Sequence, residues 1–180
     1  MKQNLALLSI LLVGFFSLDC AGTKQDTTSK TQNVDFLIDQ GKLNWEQRTD
    51  SLALKNAEHF ISLAYERRPT QLDLAILYGQ ILYTRGLFIE KNIETRNGLF
   101  LKGSQLCRNA VLNHPEFSII YKRVQGDSSF KMLSAIAEAP PSVVPGLFWW
   151  ATNLARYLNT KPVIERLNHR ELLEVMMHRI

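Results

Sequence analysis

The chain has 180 residues, a formal net charge of +4 and two cysteines. That length is enough for one domain with its own core. Lys and Arg are spread along it with no basic stripe interleaved with aromatics, which argues against a nucleic-acid partner. Two cysteines imply no disulfide framework.

The N-terminus opens with Met1-Lys2-Gln3-Asn4, weakly basic, followed by an apolar run from Leu5 to Leu18. A bilayer span needs about 20 apolar residues, so this run has the dimensions of a secretory signal core. It ends in Ser17-Leu18-Asp19-Cys20-Ala21-Gly22, which resembles the bacterial lipoprotein lipobox. Ser17 and Asp19 depart from that pattern, where leucine and a small residue are usual. The resemblance implies cleavage after residue 19, acylation of Cys20 and a lipid anchor in the membrane. Ala21, rather than aspartate, implies sorting to the outer membrane more than to the inner one. From Cys20 to Asn33 the chain is polar and rich in Thr, Gln and Lys, which predicts a flexible tether.

Residues 34–180 are expected to form an all-α domain. Alternation is absent there, and Leu and Ala dominate. The apolar stripe Leu52, Leu54, Ala57, Phe60, Ile61, Ala64 and Tyr65 predicts one long helix from Trp45 to about Arg68, stopped by Pro69. Trp45 and Arg48, three apart, are expected to stack as a cation–π pair. Leu72 to about Ile89 is apolar nearly all round and predicts a deep helix. Gly79 and Gly86 share one side of it and allow a neighbour to approach closely. Helices follow at Leu99–Asn113, Phe117–Val124 and Phe130–Glu138, with Gly126-Asp127-Ser128 as a break and N-cap. A last helix is expected over Val163–Arg179, with Thr160 as its cap.

Between them, Pro140, Pro141 and Pro145 impose an extended entry, and a helix is expected from about Leu147. Leu147, Trp150, Ala151, Leu154 and Leu158 share one face of it. Trp149, Thr152, Asn153 and Arg156 fall on the other. A large indole among polar neighbours has two readings. Either Phe148, Trp149, Asn153 and Arg156 line a groove or pore for a ligand or partner, or a second layer of helices covers that side.

Small residues twelve and five positions before a proline mark the second helix of a tetratricopeptide (TPR) unit. Ala57, Ala64 and Pro69 show that spacing, as do Gly103, Ala110 and Pro115, and Ser128, Ala135 and Pro140. The prolines are unevenly spaced, so the expected architecture is a TPR-like stack of antiparallel helix pairs with degenerate repeats.

With the Trp45-x-x-Arg48 opening, these repeats and Val144-Pro145-Gly146-Leu147-Phe148-Trp149-Trp150-Ala151, the chain from about Leu43 resembles the T-component (TatT) family of tripartite ATP-independent periplasmic (TRAP) transporters. In that family a Val-Pro-x-Leu-Tyr-Trp-x-Ala segment opens a helix after the second or third repeat. Glu174-Val175-Met176-Met177-His178-Arg179 is similar to the family's Leu-Met-x-Arg close. The resemblance implies a periplasm-facing lipoprotein, often oligomeric, with an apolar channel or pocket. Its implied role is accessory: binding a periplasmic solute-binding protein, a small organic ligand, or both. The alternative is a generic TPR-like envelope scaffold for a protein partner. Family members continue with further helices, so a shortened member, or an end covered by a partner, is expected.

No enzyme motif is present and no cofactor is implied. His59, His114, His169 and His178 lie at no metal-ligand spacing. Cys107, in a Leu-rich helical stretch, is expected to be a buried structural thiol.

Overall fold

The computed structural model describes the backbone of residues 25–180 and side chains from residue 33 onward. The signal segment and Cys20 lie outside the described residues. Among the described residues there is no strand, and the helices are α1 (Gln25–Glu46), α2 (Ser51–Arg67), α3 (Leu72–Phe88), α4 (Ile93–Asn113), α5 (Pro115–Arg123), α6 (Ser128–Ala137), α7 (Val144–Leu158), α8 (Val163–Asn168) and α9 (Arg170–Arg179). A 3₁₀ turn, Pro141–Val143, precedes α7. None of these helices is long and apolar enough to cross a membrane.

The chain divides between Asn33 and Val34. Before the division, residues 25–33 are helical where composition predicts a tether. That stretch contains neither Gly nor Pro, so each added residue extends a helix already nucleated downstream. After it, Val34–Ile180 forms an all-α stack of helices.

Several boundaries differ from the sequence reading. Helix α7 begins at Val144, after the 3₁₀ turn Pro141–Val143, and not at Leu147 after an extended entry, because proline fits the first turn of a helix. The expected helix from Trp45 is two helices, because Asp50 caps α2 by accepting from the Ala53 amide at 2.9 Å. Helix α4 starts at Ile93, capped by the Asn92 side chain accepting from Thr95 N at 2.9 Å. The last helix breaks at His169 into α8 and α9. The expected cap Thr160 instead donates its hydroxyl to the Tyr157 carbonyl at 3.0 Å. Asp127 caps α6 by accepting from Phe130 N, and Gly126 takes φ +123° just before it, a conformation that favours glycine.

Side-chain contacts set the packing directions. Tyr65 meets Tyr78 and Glu58 meets Arg85, so α2 and α3 run antiparallel. Tyr78 meets Lys102, and a Cβ on Gly86 would strike the Phe100 ring, so α3 and α4 are antiparallel too. Helix α7 then lies along both. Its Asn153 meets Gly103 of α4 and Gly79 of α3, and its Arg156 meets Tyr83. It is therefore antiparallel to α4 and parallel to α3.

The small residues mostly sit where the spacing places them. Ala57, Ala64, Ala110 and Ala135 are fully buried, and Gly103 is buried at the α4–α7 crossing. Ser128 is the exception: it is the exposed first residue of α6 and packs nothing. The third small-small-Pro match is therefore only half used.

Two apolar clusters result. One joins α1, α2, α3 and the start of α4 through Val34, Leu37, Ile61, Tyr78, Ile81 and Leu99. The other joins the C-terminal half through Phe117, Ile136, Leu147, Trp150, Leu154 and Met176. Leu147, Trp150, Ala151, Leu154 and Leu158 are all buried, as their shared face predicts. Pro145 is tolerated in the first turn of α7 because the N–H it lacks has no partner there.

Candidate functional site

Helix α3 is the centre of the stack. At 100° per residue, Ala75, Gly79, Leu82 and Gly86 face α4, Leu72 and Tyr83 face α7, and Tyr78, Ile81 and Arg85 face α2. The remaining arc carries Ile76, Leu77, Gln80, Thr84 and Leu87. Every one of these is half-buried, and nothing from Leu74 to Leu87 is exposed. That arc is therefore partly covered, with Leu77 packed against the cluster of α1, α2 and α3.

The contact between α3 and α7 is aromatic. The Tyr83 and Trp149 rings meet edge-on at 5.6 Å, and Trp149 meets Phe148 edge-on at 5.3 Å. Tyr83 in turn contacts the buried Phe100 ring at 5.8 Å. Four rings thus run from the core to the surface, where Phe148 is 42% exposed. Edge-to-face pairs at such spacings stabilise by about 0.5–1.5 kcal/mol each beyond burial. The guanidinium of Arg156 lies 5.9 Å from the Tyr83 ring centroid and its Nε donates to the Tyr83 hydroxyl at 3.3 Å. Arg156 is exposed.

Of the four residues singled out by sequence, the structure brings three together: Phe148, Trp149 and Arg156. Asn153 is elsewhere. Expected on the polar side of α7, it is 0% exposed. Its amide donates to the Gly79 carbonyl at 3.3 Å and to the Trp149 carbonyl at 2.9 Å. Its Oδ1 accepts no hydrogen bond and rests against Gly103, where a Cβ would lie 2.5 Å away. Asn153 thus fills the seam between two glycines and cannot touch a ligand on the surface. Sequence reasoning also missed Tyr83, Gln80 and Thr84. Tyr83 stands four residues after Gly79, about 40° round the helix, and only the packing of α7 shows which helix it meets.

In the same seam Cys107 is fully buried, its thiol directed at the Ala75 carbonyl at 3.7 Å. Burial pushes that thiol up to about 12, far from the thiolate a nucleophile needs. Among the described residues no group of His, Cys, Asp and Glu could hold a metal ion. The expected Trp45–Arg48 stack is present, with the guanidinium carbon 4.9 Å from the ring centroid. A shallow depression of about 370 Å³ lies on α8 and α9, lined by Val163, Arg166, Leu167, Arg170, Leu173 and Glu174. Its walls include none of the aromatic residues above.

The arrangement offers a run of aromatic rings, ending at the exposed Phe148, with the exposed cation Arg156 on the Tyr83 ring. A comparison of the sequence with family models and with curated proteins finds no match.

Proposed function

We propose that this chain is a membrane-anchored, periplasm-facing helical-repeat lipoprotein that serves TRAP-type solute uptake as an accessory component. It takes a small organic ligand, or a solute-binding protein that carries one, on the aromatic strip where Tyr83 of α3 meets Trp149 and Phe148 of α7. The observation that carries this reading is the exposed edge formed by Phe148, Trp149 and Arg156. It falls within and just after Val144–Ala151, the segment in which the resemblance to the T-component family is most specific.

Native mass spectrometry of the purified full chain is expected to find a small organic molecule retained by the wild type. Trp149→Ala and Arg156→Ala should each weaken its retention about tenfold or more, as truncation of aromatic and arginine anchors does. Equal retention by both variants would remove the strip from the reading. Cys20→Ser is expected to move the protein from the membrane fraction to the soluble one.

A scaffold role is favoured by Gln80 and Thr84, half-buried polar residues on the arc of α3 that follows Tyr83. In that case Trp149→Ala weakens capture of a protein partner while no small molecule is retained by any form.

A further inference from the structure

The stretch Val163–Arg179 contains neither glycine nor proline and its sequence predicts one helix, yet the chain breaks at His169. Kinks without such residues arise where a side chain or water enters the ladder of backbone bonds. Here the inserted group is the His169 ring. In an unbroken helix the His169 amide would bond the Glu165 carbonyl, four residues back. That amide instead donates to the Arg166 carbonyl at 3.2 Å, and ring Nδ1 donates to the Glu165 carbonyl at 3.0 Å. A carbonyl can only accept, so Nδ1 carries the proton. The ring thus replaces the bond that the break removes, and straightening exchanges one hydrogen bond for another.

The two halves are held very differently. Helix α8 has no buried residue, and its Val163, Ile164 and Leu167 are all exposed. Its root is fixed, because the Asn97 side chain donates to the Thr160 hydroxyl at 2.8 Å. Helix α9 is seated on α6 and α7. Its Met176 is fully buried, Leu172, Leu173 and Val175 pack against the same cluster, and Arg179 Nε donates to the Ala139 carbonyl at 2.6 Å. That carbonyl stands just past the last turn of α6, where acceptors lack intrahelical partners. Helix α8 is therefore an arm that lifts without uncovering anything of its own, and α9 is what it carries.

We infer that His169 is a hinge about which α8 and α9 straighten into one helix, and that α9 then seats on α6 and α7 of a second copy of the chain, in exchange for that copy's own α9. The seat is shaped by Leu172, Met176 and Arg179, and a second copy presents the same three side chains in the same spacing. Each contact one chain gives up is regained between two, which is why exchange of an identical element is a low-cost route to a dimer. The straightened helix also restores the regular backbone bond at residue 169. What remains is the entropy of association, so the closed form prevails in dilute solution and the exchanged form in concentrated solution. The inference is independent of acylation at Cys20 and of any ligand on the aromatic strip.

The test uses the full chain with Cys20→Ser and reads its monomer–dimer equilibrium by sedimentation. His169→Ala takes the ring out of the ladder and leaves the best helix former at the joint, so it should strengthen the dimer about tenfold or more. His169→Gly also removes the ring but disfavours a continuous helix, and should dimerise about tenfold less than His169→Ala. Glu138→Cys and His178→Cys, both at exposed positions beside the Ala139–Arg179 contact, are then joined by a short bismaleimide. Buried Cys107 does not compete for the reagent in the folded protein. The link should fall within one chain in the monomer fraction and between two chains in the dimer fraction, where it gives a band of doubled mass under denaturing conditions. Dimerisation by His169→Ala no stronger than by His169→Gly overturns the inference. So does a dimer whose links stay within each chain, which would place the contact on another face. The link in the wild-type dimer needs no change at His169 and decides the matter if either variant fails to fold.

Discussion

Gly103→Ala is expected to destabilise the protein by about 2 kcal/mol, although alanine favours a helix over glycine by about 1 kcal/mol. The added methyl would lie 2.5 Å from Asn153 Oδ1 and 2.8 Å from its Cγ. Asn153 has no room to withdraw, since its amide is held by the Gly79 and Trp149 carbonyls. A Cβ on Gly79 would in turn meet the Cys107 sulfur at 2.7 Å. Asn153→Ala alone should lower stability by about 2 kcal/mol as well, through lost hydrogen bonds and an unfilled seam. In the double variant the methyl of residue 103 enters the space the amide leaves. The pair should then fall short of the sum by about 1–2 kcal/mol. Urea unfolding of the four proteins measures this cycle directly. Strict additivity would mean that the two side chains do not compete for one space and that α7 is seated by its apolar face alone.

That seam also explains what the sequence made legible and what it hid. Leu147, Trp150, Ala151, Leu154 and Leu158 were visible because apolar residues at helical spacing advertise a buried face. The second buried face of α7 is made by Gly146 against Leu72 and Val111 and by Asn153 against Gly79 and Gly103, and neither glycine nor asparagine carries a hydropathy signal. Asn153 therefore looked like a surface residue beside Trp149 and Arg156, which do reach the surface. Helix boundaries failed for a related reason. The apolar stripe of α4 begins only at Leu99, so its polar first turns, Ile93–Gly98, went unseen although Asn92 was present to cap them. Between α1 and α2 the chain turns at Gln47, Arg48 and Thr49, residue types that do not forbid a helix, so in the sequence only the Asp50 cap marks the break. The Tyr83–Trp149 contact joins residues 66 positions apart, and no local pattern could announce it.

Cys107 makes the stack sensitive to alkali in a predictable direction. In the unfolded chain its thiol ionises near its ordinary value of 9.0, whereas burial pushes the folded thiol up to about 12. Between those values the unfolded state binds fewer protons than the folded one, so stability falls as pH rises. The slope from this one group is about 1.4 kcal/mol per pH unit, beginning near pH 9 and flattening near pH 12; at pH 10.5 the loss is about 2 kcal/mol. Below pH 9 the group contributes no slope. Tyr65 adds a change of the same sign at higher pH, because burial, then the neighbouring Cys107 and Tyr78, raise its hydroxyl too. The cysteine's share is isolated by comparing Cys20→Ser with Cys20→Ser/Cys107→Ser in urea at pH 8, 9.5 and 10.5. Serine keeps a donor for the Ala75 carbonyl but does not titrate in this range. The two stability curves should converge as pH rises, with the Cys107 form losing about 2 kcal/mol more between pH 8 and 10.5. Parallel curves would show that the sulfur meets water in the folded state, and with it that the α3–α4–α7 seam is open where Gly79, Gly103 and Asn153 close it.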